Sequence, residues 1–97
     1  MFAIGIVEVS GYVTSVEVLD AMLKTANVEF VTSEKKLGGR LVTIVVKGNV
    51  SAVTAAVEMG KESADKVGKT VASAVIPNPH EELIKILNIS AKKYNNK

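Results

Sequence analysis

The chain alternates between short runs of Ile and Val and longer stretches in which apolar residues recur every three or four positions. Phe2 to Val9 is rich in Ile and Val and reads as a strand, with Ser10-Gly11 marking the turn after it. From Thr14 the spacing changes: Val16, Leu19, Met22, Leu23 and Ala26 follow a helical period. Thr14 and Glu17 have the spacing of a capping box, so the first helix is expected over about Thr14–Thr25, with Asn27 ending it. Two extended segments follow, Val28–Ser33 and Leu41–Lys47, joined by Glu34-Lys35-Lys36-Leu37-Gly38-Gly39-Arg40. Gly48-Asn49 is the next break, and Asn49 or Ser51 is suited to cap a second helix that runs to Val67 and stops at Gly68. Its stripe of Val50, Val53, Val57, Ala64 and Val67, with Ala55, Ala56 and Gly60, makes it thin and able to pack closely. A fourth strand is expected over Thr70–Ile76. Pro77-Asn78-Pro79 then stops it, with Asn78 capping a third helix and Pro79 in its first position. Glu81 and Glu82 suit the positive end of that helix, and Leu83, Ile84 and Leu87 form its apolar face. Asn88 to Lys97 is polar and basic and is expected to fray.

The order strand, helix, strand, strand, helix, strand is the split βαβ or ferredoxin-like pattern, an α+β fold with an antiparallel sheet, here with a C-terminal helix added. Residues 1–88 form the expected domain and 89–97 a flexible polar tail. The strands carry apolar residues on both parities: Phe2, Ile4 and Ile6 beside Ala3 and Val7, and Val42, Ile44 and Val46 beside Leu41 and Val45. Two helices cover one face of such a sheet. The other must meet the third helix or a second subunit, which predicts an oligomer.

Composition narrows the chemistry. The 97 residues suit one domain with one modest core, and 47% apolar content is ordinary for a globular protein. Two Phe, two Tyr and no Trp leave an aliphatic core. Twelve basic and ten acidic residues give +2, too even a balance for a nucleic-acid surface. A single-strand nucleic-acid binder would also want exposed aromatics on its strands, whereas Tyr12 and Tyr94 lie off them. With no cysteine, disulfides, thiolate catalysis, iron–sulfur clusters and Cys-ligated zinc are excluded. Met1 to Val7 lacks the basic flank of a signal peptide, and the apolar runs are too short to span a bilayer. A soluble, intracellular protein without membrane contact is expected.

Catalytic residues are hard to find. The single His, His80, stands beside a helix start with no Ser or Asp in a pairing motif, and no cluster has metal-ligand spacing. Gly38-Gly39 precedes a strand and lacks the rest of a phosphate-binding motif. No catalysis, metal or cofactor is expected. The paired glycines turn a hairpin, or bring backbone close to another chain or a small solute.

Four segments resemble the single-domain, hexamer-forming shell proteins of bacterial microcompartments. They are Asp20-Ala21-Met22-Leu23-Lys24-Thr25-Ala26-Asn27-Val28, Leu41 through Val50, Ala52-Val53 with Ala55-Ala56 and Gly60, and Val75-Ile76-Pro77-Asn78-Pro79-His80. The likeness covers residues 2 to about 87. It implies cyclic hexamers that tile edge to edge into the wall of an enzyme-filled organelle in the bacterial cytoplasm. Implied partners are further copies of the chain, paralogous shell proteins, the enclosed enzymes, and small polar metabolites crossing a central pore. It assigns Lys36, Leu37, Gly38, Gly39 and Arg40 to the pore loop, with Leu37, Gly38 and Gly39 nearest the axis. It assigns Lys24, Asn27, Asn78 and His80 to the hexamer edge. Glycine N–H groups would offer donors to polar solutes, the positive Lys36 and Arg40 would favour anions and repel cations, and six copies of Leu37 would narrow the opening and make it partly apolar. The chain departs from the family pattern twice. Its loop is one residue longer than the usual Lys-Ile-Gly-Ser-Gly, and Asn78 stands where Arg is common. The alternative function is an oligomeric ferredoxin-like regulatory module that binds a small ligand between subunits.

Overall fold

The computed structural model describes residues 2–68 and 70–95. Four strands, β1 (Ala3–Ser10), β2 (Glu29–Lys36), β3 (Leu41–Gly48) and β4 (Thr70–Pro77), form one sheet in the order β2-β3-β1-β4. Every neighbouring pair is antiparallel. Three helices accompany them: α1 (Tyr12–Thr25), α2 (Val50–Val67) and α3 (Glu81–Asn95). This is the expected ferredoxin-like α+β arrangement with a C-terminal helix.

Alternation along the strands sends their two apolar sets to opposite faces. Ala3, Val7 and Val9 of β1 join Val42, Ile44 and Val46 of β3 in one buried cluster with Val18 and Met22 of α1 and Val53, Ala56, Val57 and Ala64 of α2. The opposite parity of β1 and β3 carries Ile4, Ile6, Leu41, Thr43 and Val45. There α3 packs across β2, and Phe2, Ile4, Val31, Ile84 and Leu87 line the cleft beneath it. Cover stops short of β4: Ala72 and Ala74 are exposed and Ile6 is half-buried. Both faces need cover, as the sequence implied, and α3 supplies only part of the second.

The helix starts differ from expectation. α1 begins at Tyr12, and no capping box forms. Gly11 is the N-cap, with φ 94°, and its N–H donates to the carbonyl of Arg40 at 2.8 Å. A positive φ, cheap only at glycine, turns the chain directly from strand into helix and leaves Thr14 too late to act as a cap. In α2, Asn49 caps as expected, its Oδ1 accepting the Ala52 N–H at 2.8 Å. α3 begins at Glu81, so neither Asn78 as cap nor Pro79 as first residue holds. Pro79 disfavours the right-handed region for the residue before it, and Asn78 turns at φ 52° instead. The capping falls to His80, whose Nδ1 accepts the Glu82 N–H at 3.0 Å. α3 also continues past Leu87 to Asn95, through residues expected to fray, while Asn96 and Lys97 lie outside the described residues. The extension is tied to β2: the hydroxyls of Thr32 and Ser90 are 2.8 Å apart, and Ser90 donates to the Glu34 carboxylate.

Candidate functional site

Chemistry-bearing residues gather at two opposite ends of the sheet. β1 runs from Ala3, opposite Gly48 and Pro77, to Ser10, opposite Leu41. Seven residue steps at about 3.3 Å put roughly 23 Å between the two ends.

At the Ser10 end lies the turn between β2 and β3. The sequence suggested a long loop, but β2 pairs through Lys36↔Leu41, so only Leu37 to Arg40 remain outside the ladder. Leu37, Gly38 and Gly39 form a single tight helical turn with φ values of 55°, 66° and 92°. Arg40 returns to right-handed geometry, its N–H donating to the Leu37 carbonyl at 3.3 Å. Three successive positive φ values explain the glycine pair, since a residue with Cβ pays a penalty there. The base of the turn is fixed to α1. Arg40 accepts from Gly11, and the Lys35 ammonium sits 4.9 Å from the Tyr12 ring centroid, a cation–π distance. The tip is open: Lys36, Leu37, Gly38 and Arg40 are exposed, and a Cβ on Gly38 would meet nothing within 4 Å. All five loop residues named from the sequence are thus contiguous on one turn.

At the other end, the last turn of α1 presents Lys24 to solvent, 2.9 Å from Asp20. That hydrogen bond, and then the carboxylate's charge, raise the Lys24 pKa and keep it cationic. Asn27 is exposed just beyond, and its carbonyl approaches Gly48 so closely that a Cβ there would lie 3.1 Å away. Asn78 and His80 follow β4 at the same end of the sheet. They belong to the opposite edge, however. β2 and β4 stand three strand spacings apart, about 14 Å. The four residues named from the sequence share an end without forming one cluster.

Between them is a polar recess of about 270 Å³, lined by Phe2, Asn27, Glu29, Lys47, Gly48 and Asn49. Lys47 reaches Glu29 at 3.9 Å and lies 5.8 Å from the Phe2 ring centroid. Sequence reasoning missed this group because Lys47 meets Glu29 only through the β2–β3 register. Among the described residues no group of three His, Asp or Glu side chains could hold a metal ion, and no helix is long and apolar enough to cross a membrane. His80 already has Nδ1 engaged with backbone.

The module is ferredoxin-like, with an exposed turn at one end of its sheet and exposed polar groups at the other. Comparison with known proteins gives the family. The BMC domain profile matches residues 3–79. The bacterial microcompartment shell protein PduA of Citrobacter freundii is 47% identical over 85 residues, covering 88% of this chain and 90% of that protein. EutM of Salmonella typhimurium (strain LT2), also a microcompartment shell protein, is 41% identical over 92 residues, covering 95% of each chain. A crystal structure of a microcompartment protein from Desulfitobacterium hafniense DCB superposes with a TM-score of 0.80 at 29% identity, covering 93% of this chain. The present chain spans 48% of that solved chain. The chain belongs to the BMC-domain family, the shell proteins of bacterial microcompartments.

Proposed function

We propose that six copies of this chain close into a flat ring, that rings meet edge to edge to wall a microcompartment in the cytoplasm, and that the Leu37–Arg40 turn surrounds a central pore. In this role the protein is structural and catalyses nothing. Its partners are its own copies, paralogous shell proteins and the enclosed enzymes.

One observation carries the proposal: the turn and the Lys24/Asn27/Asn78/His80 set lie at opposite ends of the same sheet. A tile whose strands run outward from the ring axis needs that separation. The molecule also has a tile's proportions, 33 × 30 × 19 Å. Uncovered apolar groups support the ring. Tyr12, Val13, Val16 and Leu23 are exposed along α1, and monomers rarely leave such patches unpartnered. At the edge, Lys24 has a long stem and three donors, suited to lie along a neighbouring ring and bond its carbonyls. The exposed pairing with Asp20 is readily exchanged for such bonds. At the axis, Lys36 and Arg40 in six copies give a positive potential that draws anions.

Light scattering and negative-stain microscopy of the purified protein test this. The expected particle has six times the 10.3 kDa of one chain and a central hole. A stable monomer at micromolar concentration would sink the proposal.

A further inference from the structure

We infer that two adjoining recesses on the α3 side of the sheet form one binding site for a short-chain aliphatic carboxylate, with Lys47 holding the carboxylate and the alkyl chain lying beneath α3. The polar recess beside Asn27 meets the apolar cleft under the helix, and Phe2 and Lys47 line both. The cleft has a volume of about 180 Å³, and its other walls are Ile4, Val31, Ile84, Leu87 and Asn88. An apolar slot with a few polar groups at one end is the general form of a site that orients a small ligand.

The strand register sets the polarity of this site. Lys47 on β3 stands opposite Glu29 on β2 and opposite Ile4 on β1, so acid, ammonium and buried isoleucine form one row across the sheet. Glu29 lines only the outer recess, whereas Lys47 lines both, so the charge at the junction is positive. Lys47 is also loosely engaged. Its ammonium is 3.9 Å from the Glu29 carboxylate, whose side chain is 78% exposed, and 5.8 Å from the Phe2 ring centroid. An exposed pair at that separation contributes little, so a ligand carboxylate replaces Glu29 at small cost. Asn49 lines the same recess; its Oδ1 is taken by the Ala52 N–H, which leaves its amide nitrogen as a further donor. Beyond the cleft α3 is tied to β2 through Ser90, which meets the Thr32 hydroxyl and donates to Glu34. That tie limits how closely the helix settles on the sheet, and Val31, Ile84 and Leu87 are left half-buried. An alkyl chain laid against them removes apolar surface from water on both sides.

Methyl NMR of the full chain, labelled at Ile, Leu and Val and titrated with hexanoate, tests this. The methyls of Ile4, Val31, Ile84 and Leu87 should shift, while those of the exposed Ile86 and Ile89 should not. Each methylene removed from the chain, down to butanoate, should weaken binding roughly fourfold. Lys47→Met keeps the stem and removes the charge. It should weaken hexanoate roughly fivefold and leave hexanol unchanged. Glu29→Gln removes the competing carboxylate and should tighten hexanoate. Hexylamine binding as well as hexanoate would overturn the assignment, because Glu29 would then be the anchor. Equal shifts at Ile86 and Ile89, or none in the cleft, would reduce the effect to surface adsorption or to nothing. Hexanoate affinity unchanged in both variants would equally sink the site. The site lies within one chain, so none of these results bears on the ring, which light scattering tests separately.

Discussion

Adding one methyl group to Gly5 should destabilise the fold by about 1–2 kcal/mol. Gly5 lies in the middle of β1, opposite Val46 on β3 and Val75 on β4. α2 crosses directly above it. A Cβ built on Gly5 would fall 2.8 Å from a methyl of Val53, 2.8 Å from a methyl of Val57 and 3.2 Å from a methyl of Val46. Carbon atoms pack comfortably at about 3.5–4.0 Å, so the first two contacts are short by roughly 0.7 Å. Val53 and Val57 are β-branched residues in a helix, each confined largely to one rotamer, and both are buried. They cannot swing aside, so α2 must lift off β1. Overpacking of this kind costs about 1–3 kcal/mol, and removing a strand glycine returns about 0.5–1 kcal/mol. Gly60→Ala is the control. Its Cβ would lie 2.9 Å from the sulfur of Met22 and 3.3 Å from a Val18 methyl. Met22 has a flexible, unbranched side chain that yields, and an interior helix position gains about 1 kcal/mol from glycine to alanine. The two effects nearly cancel. Urea unfolding followed by helical circular dichroism, at one fixed protein concentration because assembly adds to stability, measures both variants. If Gly5→Ala matched wild type, or if Gly60→Ala were the more damaging change, rigid valines seated on the β1 backbone could not be what fixes the spacing of α2.

Three further outcomes are expected. Lys24→Ala should leave rings intact but abolish ordered sheets in electron micrographs; ordered sheets, or dissociation to monomers, would show that Lys24 is not the edge contact. Replacing Lys36 and Arg40 together with Gln should slow anionic solutes entering assembled compartments and affect neutral ones less. Equal effects on both would mean that these side chains face away from the pore. Asn49→Ala removes the oxygen that accepts the Ala52 N–H at 2.8 Å. It should cost about 1 kcal/mol in a denaturant titration, the usual loss for an N-cap, and a stability change near zero would show that solvent caps α2 equally well.

The elements were legible where one local signal dominated. Ile and Val runs marked the strands, and Asn49 and Gly68 marked the two ends of α2. Two-parity apolar strands also announced that both sheet faces need cover. The misplaced boundaries were decided by contacts distant in sequence. α1 starts early because Gly11 is held by Arg40, 29 residues away. α3 continues to Asn95 with Ser90 bound to Thr32 and Glu34 on β2. His80 acts as a cap because prolines surround Asn78, and the imidazole then reaches the Glu82 N–H. Of the candidate site, the contiguous turn could be read directly. The split of the edge residues between opposite sheet edges could not, because strand order is not a local property.

The segment from Glu29 to Arg40, which holds the added residue, departs from regular strand pairing in two places. The β2–β3 ladder closes at Lys36↔Leu41, and its register shifts once, between Phe30 and Thr32, where Val31 is an extra residue on β2. A residue inserted within a paired strand would bulge it or flip the faces of the side chains beyond it. The turn beyond it closes through three successive positive φ values, at Leu37, Gly38 and Gly39. The strands between the two ends keep them far enough apart for substitutions at one to add to those at the other. In the ring proposed above, a substitution in the Leu37–Arg40 turn is therefore expected to leave the Lys24 end of the sheet unaltered.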